Sequence, residues 1–260
     1  MNCIEFKGIL KRYRNGIVAL DHLNLSVKSG ILFGILGPNG AGKSTLINIL
    51  AGIVRKDAGD IFVLGNKIDF RNNAYKKYIG FSLEKPHYID KLTPDEYLFF
   101  VGILYGLDRT LARFRVDELI EFFNMESHRH VWIKKCSNGM KKKISLAAAL
   151  IHTPQILILD ETLEGIDPIS SSIIKDNLRF MVAKGISVLL TSHVLETVEN
   201  ICDEIVIIDQ GKSIFQEKIS IIRNKKVQNF EGKNFDDIFI EIVQKSKNNN
   251  DNSSSKLSWL

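Results

Sequence analysis

The stretch ILFGILGPNGAGKSTLINILAGI, residues 31–53, decides the fold class of this chain. Its first part, Ile31–Gly37, is a short apolar run that predicts a buried β-strand. Its last part, from Leu46 onwards, is a longer apolar pattern that predicts a helix. A glycine-rich turn between a buried strand and a helix is typical of α/β folds with a largely parallel sheet.

The turn itself has the spacing of a phosphate-binding loop, GxxxxGK followed by Ser, in the strand-to-helix context that this motif requires. Glycines let backbone N–H groups turn inward around phosphates, and the helix N-terminus adds partial positive charge. We predict that Lys43 neutralises the β and γ phosphates and that Ser44 holds Mg²⁺. The alternative is a glycine-rich turn with an incidental lysine. The candidate phosphate-binding residues are Gly37, Pro38, Asn39, Gly40, Ala41, Gly42, Lys43, Ser44 and Thr45.

A second motif, QILILDE at residues 155–161, joins a buried apolar run to two acids. Strands of α/β sheets bind ligands at their carboxyl ends, so Asp160 is a candidate metal-site residue. Glu161 follows it and is a candidate for activating a water molecule. The alternative is a pair of acids that cap the next turn. Together the two motifs favour a nucleoside triphosphatase of the P-loop class.

The rest of the chain supports an α/β core with two additions. Further strands are predicted at residues 78–83, 186–193 and 204–209, while residues 4–27 alternate like antiparallel edge strands. Helical patterns replace strand patterns over about residues 92–153, where Thr93 is a predicted N-cap and Pro94 a first helical residue. This predicts a helical subdomain inserted in the α/β core.

The composition limits the class of protein. The 260 residues are 45% hydrophobic and 25% charged, as in ordinary globular proteins. The net charge of +5 is scattered along the chain, so we expect no nucleic-acid partner. Three cysteines without CxxC spacing indicate neither a metal site nor a redox pair. No apolar window reaches the length of a membrane span, the longest being residues 98–107.

The segment CSNGMKKKISLAAALIHTPQILILDETLEGIDP, residues 136–168, resembles the ABC (ATP-binding cassette) ATPases. In these ATPases an LSGGQ signature stands about twenty residues before the aspartate that ends a buried strand, a position held here by Asp160. Ser137 and Gly139 match the serine and the second glycine of that signature. The resemblance covers roughly residues 4–223. It implies a P-loop NTPase (RecA-like) core with an antiparallel β edge subdomain and an inserted α-helical subdomain, together over residues 1–225.

The resemblance also assigns roles to single residues. Tyr13 stands where the family stacks an aromatic ring on adenine, Asp167 matches the aspartate of the D-loop, and His193 matches the histidine that contacts the γ-phosphate. Glu84 replaces the family's Q-loop glutamine and is a candidate metal-site residue. Glu164 replaces the D-loop serine. The glutamate at position 84 and the altered signature look like those of drug and bacteriocin exporters.

The implied protein is an ATP-hydrolysing subunit that powers a transporter, with ATP and Mg²⁺ as cofactors. Because the signature of one cassette faces a nucleotide on another, we expect a head-to-tail dimer with a second copy or a paralogous cassette. An integral membrane subunit is the expected partner, which places the chain at the cytoplasmic face of the membrane. A soluble ABC-type ATPase and a weakly hydrolysing regulatory module are the alternatives.

Two smaller expectations complete the analysis. Residues 226–243 are predicted to form a C-terminal helix, and the polar residues 244–260 a disordered tail. Of the three lysines at positions 141–143, we expect at least two to lie on a solvated helix face.

Overall fold

The computed structural model describes residues 1–86, 88–224 and 234–248, which form two β-sheets with flanking helices. The strands are β1 (Asn2–Arg12), β2 (Val18–Lys28), β3 (Leu32–Leu36), β4 (Ala58–Val63), β5 (Asn66–Lys67), β6 (Ile79–Ser82), β7 (Ile156–Asp160), β8 (Ser187–Thr191), β9 (Glu204–Asp209) and β10 (Lys212–Lys218). The α-helices are α1 (Lys43–Leu50), α2 (Pro94–Leu104), α3 (Arg109–Phe122), α4 (Asn138–Leu150), α5 (Pro168–Ala183), α6 (Leu195–Ile201), α7 (Ile219–Arg223) and α8 (Phe235–Asn248). Short 3-10 helices cover Asn73–Tyr78, Glu126–His128 and Ile133–Lys135.

The larger sheet has the strand order β10-β9-β3-β8-β7-β6. Its strands β9, β3, β8, β7 and β6 are parallel, and β10 pairs antiparallel with β9 at the edge. Every residue of β3, β7 and β8 is buried, which explains why these strands read as continuous apolar runs. The five strands predicted for this sheet are confirmed, with ends within two residues.

The smaller sheet, in the order β2-β1-β4-β5, is antiparallel throughout. Helix α1 lies between the two sheets, and one apolar cluster joins all three through residues such as Phe6, Leu46 and Phe33. A second cluster lies on the other face of the larger sheet, beneath α2, α4, α5 and α6. The predicted α/β fold with an antiparallel edge is therefore confirmed.

Helices α2, α3 and α4 occupy the segment that was predicted to be a helical subdomain. Thr93 caps α2 as predicted: its hydroxyl accepts from the Glu96 N–H, the Glu96 carboxylate accepts from the Thr93 N–H, and Pro94 is the first helical residue. Buried Asp95 ties this subdomain together, because it accepts hydrogen bonds from Arg113 at 2.6 Å and Arg129 at 2.8 Å.

The C-terminal part differs from the expected boundaries. Helix α8 runs to Asn248, so residues 244–248, which were expected to be part of a disordered tail, are helical. The first residues of the predicted 226–243 helix, up to 233, and the tail residues 249–260 lie outside the described part of the chain. Among the described residues, we find no helix with both the length and the apolar character needed to cross a bilayer.

Candidate nucleotide site

Most of the candidate residues meet at the carboxyl ends of the parallel strands of the larger sheet, because these strands end side by side. The phosphate-binding loop leaves β3, Glu84 follows β6, Asp160 ends β7 and His193 follows β8. The strand register places the ends side by side, with Asp160 opposite Thr191. Ligands of α/β sheets bind at these carboxyl ends of the strands.

The phosphate-binding loop depends on two glycines at close backbone contacts. Gly42 has φ of +108°, and a Cβ there would lie 2.4 Å from the Ala19 carbonyl oxygen. A Cβ at Gly37 would lie 2.1 Å from the carbonyl oxygen of Ile208. Only glycine fits such contacts, so these two positions allow the loop to pass close to the backbone of the neighbouring strands.

Lys43 is the first residue of α1 and is buried, with 5% of its surface exposed. Its ammonium donates hydrogen bonds to the carbonyl oxygens of Gly37 at 2.6 Å and Pro38 at 3.2 Å. Burial lowers the pKa of Lys43, while the nearby carboxylates of Glu161 and Asp160 act in the opposite direction. The loop thus holds a cation beneath the position where phosphates would lie.

Asp160 is buried below the site, and its Oδ1 accepts a hydrogen bond from the Thr191 hydroxyl. Burial raises the pKa of Asp160, hydrogen bonds from Thr191 and Ser44 oppose this, and the charge of Glu84 adds to it. The hydroxyl of Ser44 and the carboxylates of Asp160 and Glu84 are hard oxygen donors of the kind that Mg²⁺ prefers. This set of side chains therefore fits the predicted metal.

Glu161 has a left-handed backbone, with φ of 50°, which is uncommon for a residue other than glycine. Its N–H donates to the carbonyl oxygen of Thr191 at 3.2 Å. Its carboxylate lies 3.7 Å from Nδ1 of His193. The chain after β7 is therefore bent so that this carboxylate faces the site.

A cavity of about 380 Å³ is lined by most of the predicted residues. Its walls are formed by Asn39, Gly40, Ala41, Gly42, Lys43, Ser44, Thr45, Glu84, Glu161 and His193. A smaller cavity of about 210 Å³ shares Asn39 and His193 with it and adds Gly37, Pro38, Ser192 and Phe239 of α8. Tyr13 lies beside this region, with its hydroxyl 3.3 Å from the Thr45 hydroxyl and 38% of its surface exposed.

Five predicted residues line neither cavity: Tyr13 and Asp160, described above, and Ser137, Gly139 and Asp167, which lie at the starts of helices. Ser137 is the exposed N-cap of α4, where its hydroxyl accepts from the Met140 N–H at 3.2 Å, and Gly139 follows in the first turn. Asp167 is the N-cap of α5 and accepts from the Ser170 N–H at 2.8 Å. That hydrogen bond, helped by the nearby Lys143, lowers the pKa of Asp167 to about 2.

The expectation for the lysines of α4 is wrong. Lys143 is buried and its ammonium lies 3.4 Å from the Asp167 carboxylate. Lys142 is partly buried and donates to the backbone carbonyls of Glu161, at 2.7 Å, and Glu164. Their helix packs against the loop after β7, so the ammonium groups reach carbonyl and carboxylate oxygens instead of solvent.

Sequence reasoning also missed a buried network of hydroxyl groups behind the site. The Thr162 hydroxyl donates to the Ser82 carbonyl oxygen at 3.0 Å, and the Ser82 hydroxyl donates to that of Ser145, also at 3.0 Å. The network joins the loop after β7 to the end of β6 and to α4. Thr162, Ser82 and Ser145 lie in three separate segments of the chain, so no spacing in the sequence signals this network.

Known proteins are similar to this chain in sequence and in fold. The sequence profile of the ABC transporter family matches residues 20–164. The Nod factor export ATP-binding protein I of Mesorhizobium japonicum is 36% identical over 211 residues, which are 81% of this chain and 62% of that protein. The linearmycin resistance ATP-binding protein LnrL of Bacillus subtilis is 41% identical over 81% of this chain and 68% of its own length.

A solved structure of an ATP-binding subunit of an ABC transporter superposes with a TM-score of 0.83 at 27% identity. The superposition covers 92% of this chain and 99% of that one. The matched sequence profile spans more than half of the chain and includes both the phosphate-binding loop and Glu161. This chain therefore belongs to the ABC transporter family.

Proposed function

We propose that this protein is an ATP-hydrolysing nucleotide-binding subunit that powers an ABC transporter. The observation that carries the proposal is the single cavity in which Lys43, Glu161 and His193 share the walls with the phosphate-binding loop. Phosphoryl transfer uses a cation at the phosphates and a group that positions or deprotonates the attacking water. An imidazole can donate a hydrogen bond to a phosphate.

Each group has a role set by its place. The amides of the loop and the ammonium of Lys43 bind the phosphates, and Tyr13 lies on the side where the adenine would extend. Glu161 accepts a proton from the attacking water, while His193 donates a hydrogen bond to the γ-phosphate. Mg²⁺, held by Ser44 with Asp160 and Glu84 nearby, would neutralise phosphate charge during transfer.

A dimer follows from the residues that lie outside the cavity. Ser137 is the N-cap of a helix of 13 residues, whose free N–H groups and dipole favour an anion. Because this helix start is exposed, it is available to a nucleotide bound by another chain. We therefore propose a head-to-tail dimer in which Ser137 and Gly139 of one chain meet the phosphates bound by Lys43 of a second copy or a paralogous cassette, with Asp167 at the interface.

An exporter is the proposed transporter type, because similar proteins carry names of export and resistance systems. A separate integral membrane subunit would bind near Glu84 and helix α2. Several apolar side chains of α2 are exposed, including Phe100 and Leu104, of which Leu104 is 68% exposed. Such a partner places the chain at the cytoplasmic face of the membrane.

The test is ATP hydrolysis by the purified chain with Mg²⁺, compared with the Glu161→Gln variant. Glutamine keeps the size of the side chain but accepts no proton, so we expect turnover to fall at least a hundredfold while binding of a fluorescent ATP analogue stays unchanged. Wild-type turnover by the variant would overturn the role of Glu161. Absence of hydrolysis by the wild-type chain, with and without a membrane partner, would overturn the enzymatic proposal.

A further inference from the structure

Glu164 is joined to the segment carrying His193 through one carboxylate oxygen. Its Oε1 accepts hydrogen bonds from the Ser192 hydroxyl at 3.1 Å and from the His193 N–H at 3.4 Å. The same oxygen lies 3.1 Å from Nδ1 of the His193 ring. One side chain thus contacts both the backbone and the imidazole of the residue that faces the phosphates.

The backbone of Glu164 is fixed from the opposite side. Its carbonyl oxygen accepts a hydrogen bond from Lys142, which also binds the carbonyl oxygen of Glu161. The Glu164 side chain is 21% exposed, whereas that of His193 is 55% exposed. The carboxylate is therefore the more firmly held member of the pair, and it can restrain the ring.

A carboxylate beside Nδ1 favours a proton on that nitrogen of the imidazole ring. Because an ionised carboxylate only accepts hydrogen bonds, Nδ1 carries a proton toward Glu164. When Nε2 is protonated as well, its N–H is left on the other side of the ring to donate to a phosphate. Glu161 is the competing carboxylate, at 3.7 Å from the same Nδ1. A ring paired with Glu161 would occupy the group that must accept a proton from water.

We propose that Glu164 is a positioning residue: it holds His193 by Nδ1, so that Nε2 faces the γ-phosphate and Glu161 stays free. This inference rests on the proposed function. It assigns a role to a position where the similar family has serine, a residue whose short hydroxyl side chain carries no charge to pair with an imidazole.

The test compares Glu164→Gln with the wild-type chain in two measurements. In ATP hydrolysis with Mg²⁺, we expect kcat to fall about tenfold, while KM and the affinity for a fluorescent ATP analogue change less than about twofold, since a charge-assisted contact formed through His193 is lost. In ¹⁵N spectra of the histidine rings, we expect the His193 signals to change their tautomer signature. The signals are assigned by their loss in His193→Gln.

Glu196→Gln is the matched control, because Glu196 is an exposed glutamate three residues after His193. It should leave both measurements unchanged. The proposal is overturned if Glu164→Gln keeps the wild-type kcat, if KM rises in step with the loss of kcat, or if the His193 ring signals do not move. A wild-type chain without ATP hydrolysis contradicts the proposed function instead, and the ring signals then still decide the Glu164–His193 contact.

Discussion

The ammonium of Lys142 donates a hydrogen bond to the backbone carbonyl oxygen of Glu161, over 2.7 Å. This bond joins helix α4, which begins at the signature serine, to the loop that carries the proposed general base. In the proposed dimer these two elements of one chain serve different composite sites: the helix start faces the nucleotide of the partner, and Glu161 faces the nucleotide of its own chain. Lys142 therefore links the two proposed sites through a single hydrogen-bonded side chain.

Replacing Lys142 with methionine should loosen this connection. Methionine keeps an unbranched side chain but has no donor, so two carbonyl groups lose a charged partner. We expect kcat for ATP to fall about threefold to tenfold, and the free energy of unfolding to fall by about 1 kcal/mol because the site is partly exposed.

Lys91→Met is the control for this variant, since Lys91 is an exposed lysine in the loop before α2. Steady-state kinetics and urea unfolding measure the two effects. Equal kcat for Lys142→Met and Lys91→Met would show that the hydrogen bond does not matter for turnover.

Mixing two inactive variants tests the composite site. Lys43→Ala removes the phosphate cation, and Ser137→Arg blocks the signature of the same chain. In a head-to-tail dimer, a mixed pair has both defects in one site and none in the other. We expect each variant alone to be inactive and an equal mixture to regain about a quarter of wild-type ATP hydrolysis, because half of the dimers are mixed. A mixture as inactive as its components would argue for a site complete within one chain.

Asp95 is expected to stabilise the helical subdomain in a pH-dependent way. Burial alone would raise its pKa, but the hydrogen bonds and charges of Arg113 and Arg129 outweigh burial and lower the pKa below 3.8. The stabilisation is thus present above the unfolded-state pKa and is lost as the pH falls through the lower folded-state value. Asp95→Asn should reduce the free energy of unfolding by about 2 kcal/mol at pH 7.

Urea unfolding at several pH values measures this effect. The difference between wild type and Asp95→Asn should shrink only below about pH 4. Asp108→Asn is a milder comparison, because Asp108 caps α3 at an exposed position through the Leu111 N–H. If Asp95→Asn reduced the free energy of unfolding no more than Asp108→Asn does, the ion pairs of Asp95 would not be important for stability.

The buried ring of His152 should make the free energy of unfolding depend on pH in a second, higher range. Its ring stacks on Tyr105 with centroids 3.6 Å apart. Burial lowers the pKa of His152 from 6.5 to about 4, although the nearby Ile79 backbone opposes the shift. As the pH falls below about 6.5, His152 takes up a proton in the unfolded chain, whereas in the folded chain it stays neutral until the pH approaches 4. Stability is therefore complete above pH 6.5 and declines as the pH falls from 6.5 toward 4.

His152→Phe keeps an aromatic ring beside Tyr105 and removes the titrating group. We expect the wild-type chain to lose roughly 1 kcal/mol more than the variant between pH 7 and pH 5 in urea unfolding, after allowing for partial exposure of the ring. Parallel stability curves for the two proteins over this range would contradict the assignment.

The sequence alone determined the parts of this protein that depend on local spacing. A strand, a glycine-rich turn and a helix follow one another within 23 residues in the stretch 31–53, and their backbone conformations are set by neighbours in the chain. Asp160 and Glu161 were assigned because acids directly follow a buried strand. The Thr93 cap was predictable for the same reason, since its partners lie within three residues.

The tertiary structure alone decided the contacts between distant segments. Lys142 meets Glu161 and Glu164 because α4 packs on the loop after β7, a placement that the helical pattern of residues 138–150 does not encode. Glu164 meets His193 because β7 and β8 are neighbours in the sheet. Side-chain direction across packed elements depends on the whole core. For this reason the sequence named Glu161 and His193 as catalytic candidates but left open what holds them in place.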